Sequence, residues 1–315
     1  MKKILVTGGS GFIGSHMVDL LIKKNFVLNI DKLTYASVRK KFYHQNYKEI
    51  NIDINNNQLS DIIKKYKPEY IINFAAESHV DNSIKNPKVF LKTNILGTFN
   101  ILNSIIKNKL KIKFIHISTD EVFGSLKLNN SKFNLKSSYD PKSPYSASKA
   151  SSDHLVRAYG NTFGLKFNII NCSNNFGERQ HVEKLIPKTI TNAFKNKKIP
   201  IYGNGKNIRD WIYVKDFCRA IYKVLIKSEN KKTYLVGSNN ELDNITIVKS
   251  ICKILDKSFP KKETYLNLIE FVNDRPGHDL RYSVDNSSII KLGWRPKYNF
   301  LRSLENTIKF YAKKK

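Results

Sequence analysis

Residues 3–14 read Lys-Ile-Leu-Val-Thr-Gly-Gly-Ser-Gly-Phe-Ile-Gly, and this stretch decides the fold. The apolar run Ile4-Leu5-Val6 leads without a break into a glycine loop, and helical spacing of apolar residues begins at Ile13. A strand, a glycine turn and a helix in immediate succession make the first step of a βαβ unit. Gly8, Gly11 and Gly14 form a GxxGxxG arrangement. Glycines there let the backbone turn tightly and come close to a pyrophosphate. Free N–H groups and the positive dipole end of the helix favour the phosphate charge. Without the strand before it and the helix after it, the same loop would be an ordinary turn.

Outward from this point, short apolar strands alternate with longer helical patterns. Strands are predicted at Val27 to Ile30, Tyr47 to Asn51, Tyr70 to Phe74, Phe114 to Ile117 and Phe167 to Ile170. Helices are predicted at Ile13 to Ile22, Leu59 to Tyr66, Val89 to Ile106 and Ala147 to Phe163. The rhythm predicts an α/β fold, a doubly wound parallel Rossmann sheet covered on both faces. After Cys172 the alternation loosens, with helical stretches near Leu185 to Phe194, Asp216 to Ile226, Ile245 to Leu255 and Leu304 to Tyr311. This reads as a smaller α+β lobe. The expected division is 1–172 for a dinucleotide-binding domain and 173–315 for a substrate-binding lobe, with the chain free to cross between them. A ligand belongs in the cleft.

A chain of 315 residues with 41% hydrophobic content can bury a substantial core. The formal charge of +29 raises the question of a nucleic-acid partner. Its lysines are spread along the whole chain and mixed with Asn and Ile, a compositional bias that favours solubility and attracts anions rather than building a binding face. The N-terminal apolar run is too short for a signal peptide, and no stretch approaches the ~18 uninterrupted apolar residues of a membrane span. The expected compartment is the cytoplasm, with no specific nucleic acid and no membrane as partner. Cys172, Cys218 and Cys252 are scattered, without CxxC or Cys/His spacing, so neither a disulfide framework nor a metal site is implied.

Asp31 ends the second strand seventeen residues past Gly14. A carboxylate there accepts hydrogen bonds from adenosine ribose hydroxyls and repels a 2′-phosphate, which favours NAD over NADP. Adjacent Lys32 slightly weakens that preference. Asp53 stands where it could contact adenine or simply face solvent. Tyr145 and Lys149 are spaced i, i+4 on one helix that starts after Pro144. A nearby ammonium and the positive nicotinamide are expected to lower the phenol pKa, so that Tyr145 takes a proton from a substrate hydroxyl as hydride leaves the same carbon. Asp120 and Glu121 follow Thr119 at the carboxyl end of the Phe114 to Ile117 strand, where ligands of open α/β sheets bind.

The loop TGGSGFIG, the Tyr145/Lys149 pair and Ser118-Thr119 resemble the extended short-chain dehydrogenase/reductase superfamily. DKLTYA at 31–36, AAESHVD at 75–81, STDEVFG at 118–124, SPYSASKASSDHLVRAY at 143–159, NCSNNFG at 171–177, EKLIP at 183–187 and RPGHD at 275–279 resemble the dTDP-glucose 4,6-dehydratase family over nearly the whole chain. The resemblance implies NAD held by Gly8, Gly11, Phe12, Ile13, Gly14, Asp31, Lys32, Thr34, Asp53, Ile54, Ala75, Ala76, Thr93, Tyr145, Lys149 and Asn175. It implies Glu121 as base and Asp120 as acid in removing water across C5 and C6 once C4 is oxidised, with Thr119 bonded to the C4 hydroxyl and the hydride returned to C6. Related sugar 4-epimerases typically carry small or hydroxylated residues in place of those two carboxyls.

For the nucleotide sugar, the resemblance implies contacts from Ser78, Asn174, Arg209, Asn244, Arg275 and His278, with Lys184, Leu185, Pro200 and Tyr202 around the base and deoxyribose. Phe123 and Phe176 stand where the family usually has Tyr, and the Ala36 to Tyr47 and Gly124 to Tyr139 connections are shortened. The family usually forms homodimers through helices corresponding to 89–106 and 147–163, and deoxysugar synthesis such as rhamnose formation is a common destination of its product. Three readings stand beside this one: the same chemistry on UDP-glucose or another nucleotide-glucose, a 4-epimerase, and a non-catalytic NAD- or polyanion-binding scaffold.

Overall fold

β1 (Lys3–Thr7) lies inside a seven-stranded parallel sheet of the computed structural model, which describes residues 1–38 and 40–313. Arg39, within the shortened Ala36 to Tyr47 connection, and Lys314 and Lys315, at the end of the expected second lobe, lie outside the described residues. The glycine loop joins β1 to α1 (Phe12–Leu21), and β2 (Phe26–Asp31), β3 (Tyr47–Asn51), α2 (Leu59–Tyr66) and β4 (Tyr70–Asn73) follow. Next come α3 (Val80–Lys85), α4 (Pro87–Phe90), a π-helical turn (Leu91–Leu96) and α5 (Gly97–Lys107). β5 (Lys113–Thr119) runs into a 3₁₀ turn (Asp120–Phe123), and α6 (Pro144–Thr162) precedes β6 (Lys166–Cys172).

Strand residues are buried alternately on the two faces of the sheet, as both-sided helix cover requires. Ile4 and Val6 join Met17, Val18 and Leu21 of α1 in one apolar cluster. Leu5 instead meets Leu59 and Ile63 of α2, Ile101 and Ile105 of α5 and Val156 of α6 in the other. The Pro87–Lys107 stretch is one helix long and apolar enough, by length and composition, to cross a membrane. Half of it is buried within the protein, where α5 packs on α2 and α6.

Beyond residue 172 the elements are β7 (Asn174–Phe176), α7 (Leu185–Phe194), β8 (Ile199–Tyr202), β9 (Ile208–Tyr213), α8 (Val214–Lys227), β10 (Lys232–Val236), β11 (Glu241–Asp243), α9 (Asn244–Ser258), β12 (Ile269–Val272), α10 (Ser287–Lys291) and α11 (Phe300–Ala312). The large sheet has the order β10-β6-β5-β4-β1-β2-β3. Residues 214–236 therefore return to the first lobe. α8 packs on α1, and β10 pairs in parallel with β6 from Lys232↔Asn168 to Val236↔Cys172. In sequence β10 looks like any short apolar strand of the second half, and its pairing with β6 is what assigns it to the large sheet. The other lobe holds two small sheets, β11-β9-β7 and β12-β8.

Phe123 and Phe176 have buried apolar surroundings that suit a ring without a hydroxyl. Phe123 stacks on Phe133 at 5.2 Å and meets Tyr139 edge-on at 5.1 Å. Phe176 packs against Phe300 at 5.3 Å and Tyr213 at 5.6 Å.

The glycine loop is dictated by space. Gly8 has φ +71°, and a Cβ on it would lie 2.7 Å from the backbone nitrogen of Ala75. A Cβ on Gly14 would lie 2.1 Å from the carbonyl oxygen of Gly8 and 2.8 Å from Gly9 Cα. Since these neighbours are backbone, they cannot swing aside. Gly14→Ala is expected to lower stability by about 1–3 kcal/mol, the usual cost of overpacking a close-packed site, measured by urea unfolding against the unaltered chain.

Candidate active site

The carboxyl ends of β1, β2, β4, β5 and β6 open onto two adjoining cavities, the place where a doubly wound sheet binds its ligands. The first is lined by Gly8, Gly11, Phe12, Ile13, Gly14, Asp31, Lys32, Thr34, Asp53, Ile54, Ala75, Ala76, Thr93, Tyr145 and Lys149. Those are the expected cofactor residues apart from Asn175, which lines the second cavity and donates its amide to the Ser173 carbonyl. Ser78, expected on the substrate side, lines the first cavity.

A dinucleotide fits this cradle. The first N–H groups of α1, those of Phe12, Ile13 and Gly14, precede its first intrahelical bond, from Ser15 N to Gly11 O at 2.9 Å. No side chain caps α1, and its first turn has no acidic residue, so a pyrophosphate would meet free donors and the positive dipole end. Asp31 accepts the backbone N–H of Ser10 at 2.9 Å and of Leu33 at 2.8 Å, which fixes its carboxylate while lone pairs remain for ribose hydroxyls. Lys32 lies 3.1 Å from Glu77 Oε1 and 3.8 Å from Asp53 Oδ2, so its charge is already answered and is not free for a 2′-phosphate.

Glu77 lies within the AAESHVD segment with no role expected for it, and Asn94 did not stand out in the sequence. Asn94 clamps Glu77 at both backbone groups, accepting its N–H at 2.9 Å and donating to its carbonyl at 3.0 Å, and also donates to Ser148 Oγ at 2.8 Å. It reaches these partners from the π-helical turn, a distortion common at functional sites that no linear spacing rule reveals.

The second cavity gathers Asn174, Lys184, Leu185, Pro200, Tyr202, Arg209, Asn244, Arg275 and His278 with Glu121. Most of these come from the second lobe. Lys184 Nζ donates to Ser78 O at 2.8 Å and lines both cavities, so it bridges them. Lys184 precedes α7, whose start has no side-chain cap, so the N–H groups of Leu185 and Ile186, two residues that line the cavity, have no intrahelical partner. Arg209 is buried and gives its guanidinium donors mainly to the carbonyls of Ile208 at 2.7 Å and Asp279 at 2.9 Å, with Tyr282 stacked beneath it at 4.3 Å. Asp81 is an addition to the expected set. It accepts from Arg275 Nη1 at 3.3 Å and from Tyr202 OH at 3.2 Å. Glu183, on both cavity walls, is another. Both lie in the quoted AAESHVD and EKLIP segments, which were the only sequence signal for them.

Tyr145 lines the first cavity and Glu121 the second, while Thr119, hydrogen-bonded to Tyr145, and Asp120 are buried beside them and line neither. Lys149 Nζ donates to the carbonyl of Ile117 at 2.7 Å, which ties α6 to the end of β5. Burial lowers the Lys149 pKa to about 8, against the raising effect of Asp153. Tyr145 departs from expectation: its phenol is pushed well above its ordinary value, first by burial and then by the neighbouring Glu121 and Cys172, with a hydrogen bond to Thr119 pulling the other way. Burial disfavours the charged phenolate, and the carboxyls beside it add to that.

Asp120 and Glu121 are neighbours in different surroundings. Asp120 is 1% exposed, and its Oδ2 has no hydrogen-bond partner. Burial, then Glu121 and Asp210, hold its carboxyl far above the carboxylate range. Glu121 is also raised by burial, but Arg275, Lys184 and Arg209 oppose that rise. The pair therefore presents a proton donor beside a potential base. Among the described residues no group of three or more His, Cys, Asp or Glu is placed to hold a metal. Asp120 is expected to give the infrared band of a protonated carboxyl at neutral pH, absent from the difference spectrum's counterpart in Asp120→Asn.

A family model described as GDP-mannose 4,6 dehydratase matches residues 5–307. The chain is 46% identical to the dTDP-glucose 4,6-dehydratase of Haemophilus influenzae, covering 99% of this chain and 98% of that one. Its structure superposes with a TM-score of 0.91 on a dTDP-glucose 4,6-dehydratase of Streptomyces venezuelae solved with NAD and TYD bound, at 37% identity and over 99% and 97% of the two chains. A UDP-glucose 4-epimerase of Thermotoga maritima, solved with UDP-glucose, has a TM-score of 0.89 at 26% identity over 99% of each chain. The scaffold is thus shared by two chemistries, while the full-length sequence likeness runs to the dehydratases. The chain belongs to the GDP-mannose 4,6-dehydratase family.

Proposed function

We propose that this chain is an NAD-dependent dTDP-glucose 4,6-dehydratase, a hydro-lyase that forms dTDP-4-keto-6-deoxyglucose. The observation that carries the reading is the pair Asp120 and Glu121, a neutral acid and a carboxyl facing three cations, side by side at the end of β5. An epimerase needs no such pair.

NAD bound in the first cavity would supply a hydride acceptor at C4 of the sugar and a hydride donor at C6. The chain's own residues move the protons. Tyr145 takes the C4 hydroxyl proton, helped by Thr119 bonded to the same hydroxyl and by the Lys149 ammonium one helical turn away. Once C4 is a ketone, the C5 hydrogen is acidic and Glu121 removes it. Asp120, held protonated by its burial, gives its proton to the departing C6 hydroxyl. The sugar loses water, and the hydride that would return to C6 is matched by the proton that Glu121 gives back to C5, so cofactor is not consumed. Lys184, Arg275 and the free start of α7 suit the pyrophosphate in the second cavity. Leu185, Pro200 and Tyr202 would enclose the base, with Asn174, Asn244 and His278 nearby.

The apolar residues Val89, Leu91, Leu96, Phe99 and Phe163 are exposed along the Pro87–Lys107 stretch and the end of α6, which supports pairing of two subunits there. The assigned compartment is the cytoplasm, where buried Cys172, Cys218 and Cys252 stay reduced, with neither nucleic acid nor membrane as partner.

Offered dTDP-glucose carrying deuterium at C4, the protein is expected to release a 4-keto-6-deoxy product with the label at C6 of the same molecule. Glu121→Gln should lower kcat by about 10²–10⁴-fold with substrate binding retained. Mass spectrometry over a panel including UDP-glucose separates the readings: an inverted C4 with no loss of water would make the protein an epimerase, and preference for UDP-glucose would change the assigned base.

A further inference from the structure

Tyr145, Lys149, Asp153 and Arg157 recur at intervals of four along α6, so phenol, ammonium, carboxylate and guanidinium form one stripe. Asp153 has 0% exposure and lines neither cavity, and its partners are all groups of the protein itself. Its Oδ2 accepts from Ser118 Oγ and Tyr139 OH, both at 2.8 Å, and from Asn171 Nδ2 at 3.3 Å. Burial raises the pKa of this carboxyl, while Lys149, the Ser118 and Tyr139 hydroxyls and Arg157 oppose that rise and favour the ionised form. Arg157 reinforces it through Tyr139, to which its Nη2 donates at 3.4 Å. Oδ1 has no hydrogen-bond partner and lies 3.4 Å from His116 Nε2.

His116, wholly buried on β5, separates that carboxylate from the ammonium. Thr7 Oγ1 donates to Asn73 Oδ1 at 2.6 Å, so the amide nitrogen of Asn73 is what faces His116 Nδ1 at 3.2 Å. Nδ1 therefore accepts and the ring proton sits on Nε2, pointing at Ser152 Oγ, 3.1 Å away. Burial and the charge of Lys149 keep the ring neutral. Lys149 Nζ is 3.5 Å from the same Nε2. The groups facing Lys149 are thus Tyr145 and Asp153 on its own helix, His116 on β5 and Cys172 on β6, whose thiol is pushed up by burial and stays neutral. Asp153 is the one full negative charge in this set.

We propose that Asp153 is a positioning residue for the hydride-transfer step: its buried carboxylate, set behind neutral His116 and fixed by Ser118, Tyr139 and Asn171, keeps Lys149 charged beside Tyr145. The proposal rests on the reading of Lys149 as the ammonium that serves Tyr145. A buried ammonium without a counter-charge gives up its proton readily. Asp153 supplies that charge from outside the ligand cavities, and binding need not disturb it.

The test follows the Nζ signal of Lys149 by NMR in ¹⁵N-lysine-labelled protein, assigned by its absence from Lys149→Arg. In Asp153→Asn the Lys149 titration midpoint is expected to fall by about one pH unit or more. The alkaline limb of the kcat profile should move down by the same amount with KM for the nucleotide sugar unchanged. Tyr139→Phe, which removes one donor from Asp153 and leaves the carboxyl in place, should move both in the same direction by less. An unmoved midpoint in folded Asp153→Asn overturns the proposal. Should that variant fail to fold, Tyr139→Phe and Ser118→Ala decide by the same shift or its absence. A shifted midpoint in a protein whose unaltered form dehydrates no nucleotide-glucose would leave Asp153 as the partner of Lys149 and overturn the dehydratase reading alone.

Discussion

The bond from Lys149 Nζ to the carbonyl of Ile117, at 2.7 Å, is the contact on which the rest of the site depends. It runs from α6 to the last residues of β5 and sets the register of a helix against a strand end. One helical turn before Lys149 stands Tyr145, and two residues past Ile117 stands Thr119. Holding the first pair therefore holds phenol, hydroxyl and the two carboxyls together. The ammonium is 3% exposed, an expensive place for a charge, and its surroundings explain why it stays there. His116, Ser152, Ser118, Asn171 and Asp153 are buried polar groups linked to one another, and a shift of α6 along β5 would leave several of them unpaired.

Charge around the two carboxyls is arranged by both lobes. Asp120 turns into the protein, toward the influence of Asp210 on β9, while Glu121 faces the cavity and the cations Arg275 and Lys184. They are consecutive in the chain, and their protonation preferences diverge because one sees a buried anion and the other sees fixed cations. The second lobe thus contributes to the chemistry as well as to binding. The return of residues 214–236 to the large sheet gives this arrangement its rigidity: β9, which carries Arg209 and Asp210, leads straight into α8, and α8 is packed on α1.

The elevated Tyr145 phenol qualifies the simple picture of a lysine that acidifies its neighbour. In the protein without ligand, burial and the nearby carboxyls raise the phenol pKa. Helical spacing brings two side chains onto one face, but it carries no information about solvent. The Lys32 charge is a similar case. Read in sequence it competes with Asp31, whereas in the fold Glu77 and Asp53 neutralise it.

From residues 3–14 the sequence by itself determined the parallel sheet and its phosphate-facing loop, because strand, glycine turn and helix are local patterns and Gly14 answers to the backbone of Gly8 and Gly9, whereas the crowding of Gly8 by Ala75 comes from just past the neighbouring strand β4. It also placed Tyr145 with Lys149 and Asp120 with Glu121, since each pair is close along the chain. Only the tertiary structure decided what those pairs experience. The clamp of Asn94 on Glu77 comes from a π-helical turn, the pairing of Asp81 with Arg275 spans nearly two hundred residues, and β10 joins β6 across the second lobe. Burial, counter-charge and hydrogen-bond partners are set by elements distant in sequence, and they govern the proton affinity of every group in the site.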